Sequence, residues 1–153
     1  MKLRDFKGKS VVSIDQGQKV GTVLEAILHS LQVTDLVLKG EHGEGLLPFR
    51  RIHSIGQDAI TVQTGAEVEW NKNTSEPGSI SGEAYLKLPV VDTQGTVIGE
   101  VHDAIVGPSG AVESIEVRRG GVFGIGAHET VIPRANVRAV GEKLITVDGV
   151  TAE

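Results

Sequence analysis

Residues Asp15–Leu28 (DQGQKVGTVLEAIL) return in a close variant as Asp92–Val106 (DTQGTVIGEVHDAIV), so whatever this chain folds into, it must build the same unit twice. In each copy a Gly (Gly17, Gly95) is followed four residues later by another (Gly21, Gly99). At a constant offset of 78, Val23 answers to Val101, Glu25 to Asp103, Ala26 to Ala104 and Ile27 to Ile105. Further on, Leu47-Pro48-Phe49-Arg50-Arg51-Ile52 and Ile55-Gly56 answer to Ile132-Pro133-Arg134-Ala135-Asn136-Val137 and Val140-Gly141 at an offset of 85, so the second copy is seven residues longer between the two blocks. Ala59–Val62 and Leu144–Val147 close the units.

Val11-Val12 starts a strand that stops at Asp15-Gln16-Gly17, where Gly tolerates positive φ and Asp can bond its own backbone. The next stretch reads two ways. Val20, Val23, Leu24, Ile27, Leu28 and Leu31 recur at the spacing of a helix face, echoed by Val97, Ile98, Val101, Ala104 and Ile105, whereas the β-branched content and the inner glycines favour a strand. Val33–Lys39 and Ala111–Arg118 alternate apolar with polar and predict strands with one buried face. Leu46-Leu47 and Val131-Ile132 predict a short strand ended by Pro48 and Pro133, since proline has no N–H for the ladder. Arg50–Ser54 and Ala135–Ala139 are expected as helical turns with Ile52 and Val137 pointing inward.

The order of these signals resembles the PRC-barrel family: a G-x-x-x-G turn opening a V-x-[ED]-A-[IV] strand, an alternating strand, a loop ending in [LI]-P, and [IV]-G before a final strand. The resemblance implies an all-β chain of two tandem small PRC-type β-barrels with short helical turns, and it resolves the ambiguous stretch as a long, bent strand with Gly at the bend. The expected division is 1–70 for the first repeat, 71–81 for a linker rich in Asn, Ser, Pro and Gly, and 82–153 for the second. Trp70, at the edge of that linker, is expected to pack against its own repeat.

Composition narrows the function classes. Twenty glycines, 3% aromatic and 23% charged residues suit a turn-rich β protein. The net charge is −5, with −1 over residues 1–70 and −4 over the rest, which disfavours direct binding to phosphate backbones. No run approaches the roughly 18 apolar residues of a membrane span, and Met1–Asp5 is not followed by a signal-peptide core, so a cytoplasmic protein is expected. Without cysteine there is no disulfide, thiolate zinc site or cysteine nucleophile.

Catalytic constellations are hard to assemble from what remains. His29, His42, His53, His102 and His128 lack the short helical spacing of zinc enzymes, and Ser30, Ser54 and Ser109 lack a nucleophile-elbow context. Gly120–Gly126 resembles the Gly-rich loop of many bacterial stand-alone PRC-barrel proteins; read as a phosphate cradle it would need a helix after it, and a strand follows. Its apolar residues Val122, Phe123 and Ile125 are the candidate interface, because glycines on both sides leave them outside any strand alternation. Arg118, Arg119, Arg134 and Arg138 are the candidate anion or partner patch, expected to converge near that loop. The reading is therefore a non-enzymatic interaction or assembly module without cofactor or metal. Its alternative is an RNA-processing or ribosome-assembly factor acting through a ribosomal protein. Units of about 70 residues have little margin in their cores, so packing between the repeats, or between two chains as a homodimer, is expected.

Overall fold

A computed structural model of the chain describes residues 1–72, 76–120 and 128–149. Gly17, at φ +62°, turns β1 (Ser10–Ser13) into β2 (Gln18–His29), which runs on antiparallel to β3 (Gln32–Gly40) and β3 to β4 (Gly43–Pro48). A 3-10 turn at Phe49–Arg51, β5 (Ser54–Ile55), β6 (Ala59–Val62), a 3-10 turn at Gly65–Glu67 and β7 (Glu69–Trp70) complete the first copy. The second begins with β8 (Ile80–Ser81) and a one-turn helix α1 (Gly82–Tyr85). It continues as β9 (Pro89–Asp92), β10 (Val97–Val106), β11 (Val112–Arg119), β12 (His128–Pro133), a 3-10 turn at Arg134–Asn136, β13 (Val137–Val140) and β14 (Ile145–Val147).

The two sheets have one topology. The first reads β5-β6-β1-β2-β3-β4-β7 and the second, in matching direction, β13-β14-β9-β10-β11-β12. In both, the last long strand returns parallel to the first (β6 on β1, β14 on β9). The class is all-β and the units are barrel-like. Among the described residues no ladder joins β4 or β7 to β5, or β12 to β13, so the sheets are not closed by hydrogen bonds.

β2 and β10 are the long strands on which each sheet bends, and both are bulged at the same places. The β2/β3 register slips between Val23 and Glu25 and again between Ile27 and Leu28; the β10/β11 register slips between Val101 and Asp103 and between Ile105 and Val106. A bulge puts an extra residue in one strand and bends it. The buried positions therefore run 21, 23, 26, 28 along β2, and the three-residue step at the bulge imitates the spacing of a helix face. The second glycine of each pair lies where the next strand comes close: a Cβ on Gly21 would come 2.8 Å from the Lys39 carbonyl oxygen, and on Gly99 (φ +153°) 2.5 Å from that of Arg118.

The expected alternation of Ala111–Arg118 breaks at Glu113, the residue skipped by the second bulge, so Val112, Ile115 and Val117 share burial. The helical turns are single 3-10 turns that start one residue earlier than expected. Phe49 is buried in the first, and Ala135–Ala139 is divided between the turn and strand β13. Ile52 and Val137 do pack against the core.

The buried apolar residues, Val37 and Leu46 apart, form one cluster that runs through both copies, from Leu3 and Phe6 to Ile145 and Val147. The N-terminal arms of the two copies are exchanged across it. In the first arm Lys2 bridges antiparallel to Ile105 of β10, the Val106 N–H donates to the Met1 carbonyl (2.7 Å), and the Arg4 N–H donates to Asp103 Oδ1 (3.2 Å). In the second, Ile80 and Ser81 pair with Leu28 and Ile27 of β2, and the Glu83 N–H donates to Glu25 Oε1 (3.0 Å). Each contact maps onto the other under the repeat, so the halves meet as the subunits of a two-fold dimer do, through one self-complementary surface. The Glu25/Asp103 position of the repeated motif is the receptor for the neighbouring arm.

The β2–β3 and β10–β11 turns complete the seam. The Val33 N–H donates to the Gly110 carbonyl (2.8 Å) and the Val112 N–H to that of Leu31 (2.9 Å), again a symmetric pair.

Candidate interaction surface

The ionisable groups buried in this structure serve the fold. Asp103, 4% exposed, accepts from the N–H groups of Arg4 and of Ala104. The Tyr85 hydroxyl donates to the Ser30 carbonyl at 3.2 Å, and burial pushes its pKa far above the ordinary tyrosine range, opposed only in part by the nearby Arg134. Among the described residues no three His, Asp or Glu side chains gather as a metal cluster, and no buried side-chain polar atom lacks a partner. The Ser54 hydroxyl meets the Thr61 hydroxyl (2.7 Å) across β5 and β6.

The four arginines do not form one patch. Arg118 and Arg119 lie at the far end of the β11/β12 ladder, opposite Glu129 and His128, whereas Arg134 follows Pro133 at the other end, opposite Ser114. The four residues separating those ends span about 13 Å at strand rise. Arg118 is held by Glu129 (2.7 Å), whose carboxyl is thereby kept below its usual pKa, and Arg138 by Asp148 (3.3 Å). Arg134 instead reaches across the seam: its Nη1 donates to the carbonyls of Leu31 (2.9 Å) and Val112 (3.0 Å). Its counterpart Phe49 occupies the mirrored position, stacked edge-on against Phe6 (6.1 Å) and close to Gly110. Arg119 alone of the four is exposed with no ion pair or hydrogen bond among the described residues. Val122, Phe123 and Ile125, the candidate interface, lie outside the described residues.

The outer edges of the sheets differ. In the first copy β7 lies on β4, Gly45 opposite Trp70 and Leu46 opposite Glu69. The Trp70 indole covers a hollow made by glycines: a Cβ on Gly40 would run into the ring, and one on Gly45 would come 2.6 Å from it. Trp70 thus packs on its own repeat and leaves 40% of its surface in water. Leu46, in the strand beneath, is 3% exposed. In the second copy no strand lies on the outer edge of β12 among the described residues, and Val131, the counterpart of Leu46, is 62% exposed.

Two clefts lie elsewhere on the described surface, the second of them beside β7. One of about 290 Å³ lies between the arms, with Arg4, Lys7, Glu25 and Glu83 at its rim. Another of about 650 Å³ is bordered by His29, Asp35, Arg50, Glu69, Lys72 and Glu76. Each mixes both signs of charge, so neither is a dedicated anion or cation site.

A family model of the PRC-barrel domain matches the chain twice, over residues 1–69 and 78–153. The chain belongs to the PRC-barrel family. No curated protein matches it significantly. The two PRC-barrel matches coincide with the two sheets, and the start of the second at residue 78 takes in the arm that crosses to the first. Among the described residues of this PRC-barrel pair no helix is long and apolar enough to cross a membrane. The arm exchange left one trace in the sequence, an acidic residue at the same place in both long strands (Glu25, Asp103). The difference between the edges left another, Gly40, Gly43 and Gly45 in the first copy against Arg119, His128 and Thr130 in the second.

Proposed function

We propose that this PRC-barrel pair is a non-catalytic assembly module that acts in the cytoplasm by docking on a protein partner. The observation that carries this reading is the single core shared by both copies, which presents two sheet edges from one body, one covered by β7 and one that no strand covers among the described residues. The buried ionisable groups are consistent with it, because Asp103 and Tyr85 are engaged by structural hydrogen bonds. A second reading, a ribosome-assembly factor, is favoured only in the form of contact with a ribosomal protein, since a chain of net charge −5 gains little from phosphate neutralisation.

Affinity purification of the tagged chain from its native cells tests both readings. The module reading expects one stoichiometric protein partner that survives nuclease treatment. Recovery of ribosomal proteins as a set would favour the second, and recovery of no stoichiometric protein would contradict both.

A further inference from the structure

The first copy shows what its outer edge strand accepts. An exposed strand edge is a row of unpaired N–H and C=O groups, which folded proteins cover or use. On β4 the cover is β7: Trp70 lies opposite Gly45 with its ring over Gly40, and Glu69 lies opposite Leu46. The equivalent places in the second copy are Thr130 for Gly45, Arg119 for Gly40, His128 for Gly43 and Val131 for Leu46. β11 and β12 hold these residues in the same register, with Arg119 opposite His128 and Val117 opposite Thr130. Because Val117 and Ile132 are buried and side chains alternate along a strand, Arg119, His128 and Thr130 line the same side of the ladder, and Val131 lies on the other. The glycine-lined place that takes an indole in one copy is lined by cationic and polar side chains in the other.

We propose that the outer edge of β12 receives an extended segment of a partner protein as an added antiparallel strand, with an apolar side chain opposite Val131 and, in the next residue, an acidic side chain opposite Thr130 beside Arg119 and His128. Main-chain hydrogen bonds supply affinity in this mode and alternate side chains supply choice of partner. The acidic residue stands where Trp70 stands in the first copy and neutralises Arg119. The apolar residue covers Val131, which is otherwise 62% exposed. A second copy of this chain fits less well. Antiparallel pairing of two β12 strands about Val131 would set Ile132 opposite Thr130 and Arg134 opposite His128, leaving Arg119 unmatched and opposing cationic groups.

The inference rests on the assembly-module reading and can fail without it. Fluorescence anisotropy with a labelled peptide of central sequence Thr-Val-Asp-Ser, and a twin with Lys for Asp, measures the edge directly on the full chain. Wild-type protein should bind the Asp peptide roughly tenfold more tightly than the Lys peptide, as expected of one ion pair of about 1.4 kcal/mol. Arg119→Glu should reverse that preference, and Val131→Lys should weaken both peptides by about tenfold, a further 1.4 kcal/mol. Both side chains are exposed, so far-UV circular dichroism should be unchanged. Three results would overturn the proposal: no saturable binding up to millimolar peptide, a preference that Arg119→Glu leaves intact, or a wild-type dimer that Val131→Lys converts to monomer. If the doubly substituted chain still captures the native partner while the peptide result is negative, the module reading stands and the β12 edge is not its site.

Discussion

Asp103 Oδ1 receives the backbone N–H of Arg4 from 99 residues away, at 3.2 Å, and Glu25 receives that of Glu83 at 3.0 Å in the mirrored place. A carboxylate accepting an N–H is a charge-assisted bond, and in a 4%-exposed position its removal leaves the donor without an equal substitute. Asp103→Ala should therefore lower unfolding free energy by about 1–3 kcal/mol in urea titration. Glu25→Ala, at a less buried site, should cost less. Equal, negligible effects would mean that the arms are held by apolar packing alone.

Gly110 has φ +89° and lies on the seam, where a Cβ would meet Gln32 Nε2 at 2.7 Å, Phe49 Cδ1 at 2.8 Å and the Val33 oxygen at 2.9 Å. Gly110→Ala combines backbone strain with a steric clash at the turn-to-turn contact and should destabilise by about 2 kcal/mol or more. Gly95→Ala, also at positive φ but with open space around it, should cost less and serves as the comparison. The midpoint of chemical denaturation reads both.

Tyr85 links stability to alkaline pH. Its folded pKa is raised by burial, so its contribution is fully present below the ordinary tyrosine value near 10 and is lost as pH rises toward the folded value, because only the unfolded chain ionises in that window. Stability should fall above pH 10 by up to about 1.4 kcal/mol per pH unit from this group. Tyr85→Phe should flatten that slope while costing about 1 kcal/mol at neutral pH for the lost bond to the Ser30 carbonyl. An unchanged alkaline slope would remove Tyr85 as its origin.

Much of the fold was written locally. The Asp15-Gln16-Gly17 turn, the strands ending at Pro48 and Pro133 and the inward Ile52 and Val137 each follow from the chemistry of a few neighbouring residues, and the repeat placed them twice. Apart from the acidic residue shared by both long strands (Glu25, Asp103), the arm exchange was not legible, because pairing Lys2 with Ile105 or Ser81 with Ile27 depends on geometry between copies and leaves no periodicity in either segment. The bulges at Leu24 and His102 disguised strands as a helix face by adding one residue to the step. Convergence of the arginines near the Gly-rich loop presumes that both ends of β12 lie together, but the six-residue strand carries Arg134 to the opposite end of the ladder from Arg118, where it bonds the carbonyls of Leu31 and Val112. The difference between Leu46 and Val131 was visible only once β7 was seen lying on β4 with no described strand in the matching place on β12.

That the two copies form one cooperative body is tested most directly by differential scanning calorimetry of the intact chain. With arms exchanged and one core running through both sheets, a single transition is predicted, with calorimetric and van't Hoff enthalpies in a ratio of about 1 and, for a chain of 153 residues, on the order of 100 kcal/mol. Two resolved transitions, or a van't Hoff enthalpy near half the calorimetric one, would show two separately folding barrels and contradict the exchange as the source of their stability.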